Sequence, residues 1–175
     1  RDMMYTASEY DESAWAIRYP RGRATGMEYP KGFKSMEIGK GMQLRAGEDI
    51  AILSFGPFGN YVMEAADALA EEGINVGHYN MRFAKPLDTE LITEVCHSYE
   101  HIIIIEDGTR LGGFGSAVAE YLSDKPYHIP TTIMGVPDRI VEHGTQEELH
   151  REVGLDPEGI KAKVKEVLQS LSLNA

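Results

Sequence analysis

Cys96 is the only cysteine in 175 residues, which excludes an internal disulfide and any cysteine-rich metal site. Long hydrophobic runs are missing too. The longest, the isoleucines at 102–105, has the length of a strand and falls far short of the roughly 18 residues that a membrane span needs. The chain opens Arg1-Asp2-Met3-Met4, without a basic stretch followed by an apolar one, so no signal peptide is expected. Positive charge is scarce: 17 Lys and Arg stand against 28 Asp and Glu, a net charge of −11. That balance disfavours non-specific binding to nucleic acid or to an anionic membrane. What is present is a globular composition, 42% apolar and 26% charged, able to bury one core. A soluble, cytoplasmic protein with no nucleic-acid or membrane partner is the expectation.

The first 34 residues differ in character from the rest. They hold Tyr5, Tyr10, Trp15, Tyr19 and Tyr29, scattered Gly and Pro, and the arginines Arg18, Arg21 and Arg23. Only residues 15–19 resemble a strand, and residues 20–34 read as linker. A domain rarely begins so, and the expectation is a cut end of something larger. From Ser35 the pattern is regular. Strands are predicted over 38–44 (an edge), 49–55, 74–79, 101–106 and 131–134, and helices over 61–72, 88–96, 113–122, 146–151 and 157–171. Asp88 should cap one helix, and Thr145 with Glu148 makes a capping-box pattern for another. Strands alternating with helices imply βαβ units. The expected fold is α/β, a three-layer α/β/α sandwich on a mostly parallel sheet of about five strands, with ligands beyond the carboxyl ends of the strands.

Candidate chemistry is sparse. Gly112-Gly113-Phe114-Gly115-Ser116 lies between a strand and a helix, where free amides could cradle an anion. Val118 stands where a dinucleotide fingerprint needs glycine, and no phosphate-loop Gly-Lys-Ser/Thr exists in the chain. Phe114 likewise breaks a nucleophile elbow around Ser116. Tight helix-to-sheet packing explains these glycines better than anion binding. The six histidines never form the i, i+4 pair that places two imidazoles on one helix face, so surface or capping roles are expected. Glu106 and Asp107 could be an acid/base pair, but adjacent carboxylates at a strand end need no function. Residues 18–23 carry the strongest local signal. Three guanidiniums in a loop shaped by Pro20 and Gly22 suit a phosphate; an arginine pairing with an acidic neighbour across a domain boundary suits the composition equally.

Seven motifs occur in order: Ala16-Ile17-Arg18-Tyr19-Pro20-Arg21-Gly22, Ile38-Gly39-Lys40-Gly41, Met81-Arg82-Phe83-Ala84-Lys85-Pro86-Leu87-Asp88, the glycine cluster at 112–116, Val136-Pro137-Asp138, Gly144-Thr145-Gln146-Glu147-Glu148 and Gly154-Leu155-Asp156. Together they resemble the C-terminal end of the 1-deoxy-D-xylulose-5-phosphate synthase family, thiamine-diphosphate enzymes of the transketolase type. The resemblance implies a parent enzyme that condenses pyruvate, with decarboxylation, and glyceraldehyde 3-phosphate. It implies thiamine diphosphate and Mg2+ held by N-terminal and middle domains, and a homodimer. Residues 35–175 would be the transketolase-type C-terminal domain, and residues 1–34 the tail end of the preceding pyrimidine-binding domain plus a linker. Of that family's active-site groups only Arg21 carries over, as the ligand of the aldehyde's phosphate. No Gly-Asp-Gly motif is present, so this piece alone is expected to bind neither cofactor nor metal and to have no catalytic residue. Two other readings stay open. One is the matching domain of transketolase or of a 2-oxoacid dehydrogenase β subunit, against which the Tyr-Pro-Arg-Gly loop speaks; the other is a stand-alone α/β assembly module.

Overall fold

The fold was obtained as a computed structural model that describes residues 1–20 and 30–174. Five strands form one sheet: β1 (Met42–Arg45), β2 (Glu48–Phe55), β3 (Val76–Asn80), β4 (His101–Thr109) and β5 (Thr131–Val136), in the order β1-β3-β2-β4-β5. The β3–β2, β2–β4 and β4–β5 pairs are parallel, and β1 alone runs antiparallel, against β3. Among the described residues six α-helices accompany them: α1 (Asp2–Ser8), α2 (Gly59–Glu71), α3 (Thr89–Ser98), α4 (Phe114–Ser123), α5 (Gln146–Glu152) and α6 (Pro157–Asn174).

Alternation along the central strands divides the core in two. Ile50, Ile52, Ile103 and Ile105 face Val62, Ala65, Ala66 and Leu69 of α2 and Ile160, Val164 and Val167 of α6. Ala51, Leu53, Ile102 and Ile104 face Ile92 and Val95 of α3 and Phe114, Val118 and Leu122 of α4. Strands buried on both faces read as continuous apolar runs, which is why β2 and β4 were visible in the sequence. The three-layer sandwich is therefore observed. Helix ends follow local chemistry. Asp88 accepts from the Leu91 amide at 3.1 Å to cap α3, and Thr145 and Glu148 make the reciprocal capping box of α5. After α2, Gly73 takes φ +81° while Ile74 and Gly73 donate to the carbonyls of Leu69 and Ala70. That Schellman turn requires a left-handed residue, and glycine takes the conformation at no steric cost.

Three expectations need correction. Residues 15–19 form no strand; they run without regular structure across the sheet's end. The edge strand predicted over 38–44 begins only at Met42. Gly39 and Gly41 are pressed against Pro86 and Leu91, and the Gly41 amide donates to Asp88 at 2.8 Å, so that stretch serves α3 and not the sheet. Helix α1 was not foreseen. It is tied to the domain by tertiary contacts, with the Met36 amide donating to Thr6 Oγ1 at 2.8 Å and Tyr5 stacked on Phe33. From the linker prediction, residues 21–29 lie outside the described residues.

One core group sets an acid limit. His78 is fully buried on β3, with Nε2 2.8 Å from Ser54 Oγ and Nδ1 3.2 Å from Met63 Sδ. Burial first, and the Arg45 charge second, push its pKa down to about 4. A depressed histidine folds neutral, so the unfolded chain binds the extra proton between its ordinary value near 6.5 and 4. Stability should hold above pH 6.5 and fall by about 3 kcal/mol on acidification to pH 4 from this residue. His101, also lowered by burial, loses stability in the same direction. Urea titrations from pH 7 to 4 on the parent and on His78→Leu check this; equal slopes for both would refute the assignment to His78.

Candidate functional site at the carboxyl edge of the sheet

In an open parallel sheet, ligands gather where successive connections leave in opposite directions. Here β2 leads to β3 on one side and β3 leads on to β4 on the other, so that point lies between the carboxyl ends of β2 and β4. Next to that point, past the end of β3, the backbone is sharply shaped. Arg82, just past β3, has φ +55°. Its amide donates to Asn80 Oδ1 at 3.1 Å, and the Phe83 amide turns back to the Met81 carbonyl. A positive φ on arginine carries a steric cost that neighbouring contacts must offset. Neither this turn nor the burial of His78 was foreseen from the sequence; a non-glycine left-handed residue leaves no compositional signal.

The glycine cluster does hold an anion, and the anion is the protein's own. Glu106, 3% exposed on β4, accepts from the Phe114 amide at 2.8 Å and the Gly115 amide at 2.7 Å. These are orphan donors of the first turn of α4, whose N-cap Gly113 supplies no side chain. A Cβ on Gly113 would overlap both Glu106 and the Thr109 carbonyl, so the loop must be this small for the carboxylate to reach the helix. Packing and anion binding, set against each other on sequence grounds, are one arrangement. Ser116 is spoken for as well: Oγ accepts from the Gly112 amide at 2.9 Å and donates to the Arg110 carbonyl at 3.3 Å. Glu106 is a cap, and no acid/base pair with Asp107 is formed.

Across this edge lies the segment 15–18. The Trp15 ring meets Phe83 edge-on, centroids 6.1 Å apart, and meets Tyr10 edge-on as well, at 5.8 Å. Arg18 Nη2 then donates to the Asp107 carbonyl at 3.1 Å. The segment thus spans from the end of β3 to the end of β4, with β2 between those strands. The partner of Arg18 is a backbone carbonyl, neither a phosphate nor an acidic side chain. Arg21 and Arg23 lie outside the described residues. Tyr19, Leu111 in the β4–α4 loop and Ile140 after β5 are 79%, 62% and 90% exposed.

Other candidates are dispersed. His97 meets the Thr93 carbonyl, His101 the Thr132 hydroxyl, and His150 packs on Phe58 and Tyr61. Among the described residues no three His, Cys, Asp or Glu side chains converge as a metal site would require, and no helix is long and apolar enough to cross a membrane.

Comparison with known proteins agrees with this architecture. Residues 39–160 match the family of the transketolase C-terminal domain. The 1-deoxy-D-xylulose-5-phosphate synthase of Cytophaga hutchinsonii is 45% identical over 166 residues, covering 94% of this chain and 26% of that protein. The synthase of Bacteroides thetaiotaomicron is 42% identical over 174 residues, 99% of this chain and again 26% of the relative. The chain therefore spans about a quarter of the length of the curated relatives it matches. Among solved structures, a split-gene transketolase described as an inactive β4 tetramer superposes with a TM-score of 0.71 at 31% identity, over 86% of this chain and 47% of that one. A transketolase from Pichia stipitis shares the fold, with a TM-score of 0.55 at 19% identity over 73% of this chain and 18% of that one. By its mostly parallel sheet, its two-sided core and this match over most of its length, the chain belongs to the transketolase C-terminal domain family.

Proposed function

We propose that this chain is the C-terminal part of a 1-deoxy-D-xylulose-5-phosphate synthase. The complete enzyme would condense pyruvate, with loss of carbon dioxide, and glyceraldehyde 3-phosphate to 1-deoxy-D-xylulose 5-phosphate. The observation that carries this reading is identity of 42–45% across 94–99% of the chain to synthases of that name. In it, residues 35–175 are the third domain and residues 1–34 the end of the preceding domain with its linker. The exposed Leu111 and Ile140, in the loops after β4 and β5, are read as part of the surface that packs against the rest of the synthase. Arg21 is the residue assigned to substrate: its fork is suited to the aldehyde's phosphate.

The described residues of this chain do not fit thiamine diphosphate or Mg2+. The helix amides that could hold a diphosphate are taken by Glu106, and Gly-Asp-Gly is absent from the sequence. Both groups belong, in this reading, to the remaining three quarters of a cytoplasmic, homodimeric enzyme, and the contribution of this part is to bind and orient the acceptor. Assay of the complete reading frame with pyruvate and glyceraldehyde 3-phosphate tests the function: formation of the deoxy sugar phosphate supports it, and its absence in a folded, cofactor-loaded protein rejects it. Titration calorimetry of the 175-residue chain with thiamine diphosphate and Mg2+ should show no binding; micromolar affinity would reverse the assignment of the cofactor to other domains.

A further inference from the structure

We infer that helix α1 and residues 30–36 form a rigid joint at the entrance to the domain, pinned by Thr6, which holds α1 in a fixed orientation to the sheet. Where α1 is the end of the preceding domain, the joint fixes the angle between two domains. That consequence rests on the reading proposed above; the joint itself does not.

The pin is a buried hydroxyl used in both directions. Thr6, 5% exposed, donates to the Asp2 carbonyl at 2.8 Å within the helix and accepts from the Met36 amide at 2.8 Å. Beside it the Tyr5 and Phe33 rings stack with centroids 5.4 Å apart. Arg1 lies over the same Phe33 ring, its guanidinium carbon 5.3 Å from the centroid, and donates to the Pro30 carbonyl at 2.9 Å. Residues 1 and 5 share one side of a helix, so α1 meets this stretch along its length. A helix of 7 residues is marginal alone, and residues 30–36 have no regular structure; each is ordered by the other. Beyond the pin there is almost no slack. Gly39, at φ +76°, is buried and has no room for a Cβ beside Pro86. Lys40 then pairs with Asp88 at 3.8 Å, and the Gly41 amide donates to the same carboxylate at 2.8 Å. Residues 36 and 39 are three peptide units apart, so their Cα atoms lie no more than about 11 Å apart. Only Glu37 and Ile38 separate the pin on α1 from the anchor beside α3, too short a stretch to act as a flexible linker.

Lys34 is exposed within this stretch and offers trypsin a bond there. In the folded 175-residue chain that bond should be cut at least roughly tenfold more slowly than in a peptide of residues 30–40, because cleavage needs the joint to open. Thr6→Val keeps the shape of the side chain and removes the hydroxyl. Phe33→Ala changes a ring that is 61% exposed and leaves the hydrogen bonds of α1 untouched. Each should speed the cut roughly fivefold to tenfold, while thermal unfolding of the sheet stays with the parent. Thr6→Ser should remain near the parent, and exchange of the Met36 amide should quicken in Thr6→Val by a similar factor. The same measurements on the complete protein should give the same order. Cleavage of the parent after Lys34 as fast as in the peptide, in either protein, overturns the joint, as do Thr6→Val and Phe33→Ala variants with unchanged cleavage and exchange. A protected Met36 in a complete protein that forms no deoxy sugar phosphate supports the joint and removes the synthase reading; an active synthase with an unprotected Met36 keeps that reading and removes the joint.

Discussion

On the proposed reading of Arg21 as the phosphate ligand of a synthase, Arg21→Ala in the full-length protein should lower kcat/KM for glyceraldehyde 3-phosphate by roughly 30-fold to 1000-fold. The estimate follows from losing charge-assisted hydrogen bonds to a phosphate, on the order of 2 to 4 kcal/mol. Arginine suits this role because its planar fork donates two parallel hydrogen bonds and keeps its proton throughout the working pH range. Arg21→Lys retains the charge without the fork and should recover only part of the loss. Unphosphorylated glyceraldehyde is the informative comparison. It has no phosphate to lose, so a far smaller fall is expected with it. An equal fall for both acceptors would show that Arg21 holds the interdomain loop in place without reading the phosphate.

Glu106→Ala should be the most damaging single change to stability at the carboxyl edge. It leaves the amides of Phe114 and Gly115, both in the buried core of the edge, without acceptors. Each unsatisfied buried donor costs about 1 to 3 kcal/mol, giving a loss on the order of 4 kcal/mol. The first turn of α4 also loses a negative group beside its positive dipole end. For a domain of this size that corresponds to a fall in Tm of roughly 8 to 16 °C. Glu106→Gln keeps one acceptor but turns an NH2 toward the second amide, so it should lie between alanine and the parent. Thermal and urea unfolding of the three proteins measures the series. A loss below about 1 kcal/mol for alanine would mean that water enters and satisfies the helix, and the cap would then have little energetic weight.

The parts of this protein legible in its residues are those whose cause is local. Runs such as Ile102-Ile103-Ile104-Ile105 declare a strand covered on both faces, and the apolar spacing of Val62, Ala65, Ala66 and Leu69 declares one face of a helix. Asp88, Thr145 and Glu148 announce helix starts because the groups they satisfy lie three residues away. The motifs at 16–22, 81–88 and 144–148 pointed to the family in the same direct way. Helix α1 escaped because it is a short helix supported by Thr6, Tyr5 and distant partners, and so short a helix is marginal without tertiary packing. Edge strand β1 was drawn too long because Gly39 and Gly41 answer to Pro86, Asp88 and Leu91, some 47 residues away in the chain.

The edge itself shows the same division. Residue types revealed a glycine cluster, an acidic strand end and an arginine loop, and left each with two meanings. Folding joined them, bringing Glu106 into the amides that a ligand would otherwise occupy and laying Arg18 on a carbonyl 89 residues distant. Such pairings have no periodicity to betray them, because their partners are chosen by which strands lie side by side in the sheet. Strand order is set by the burial of two apolar faces at once, a property of the whole chain and not of any window along it.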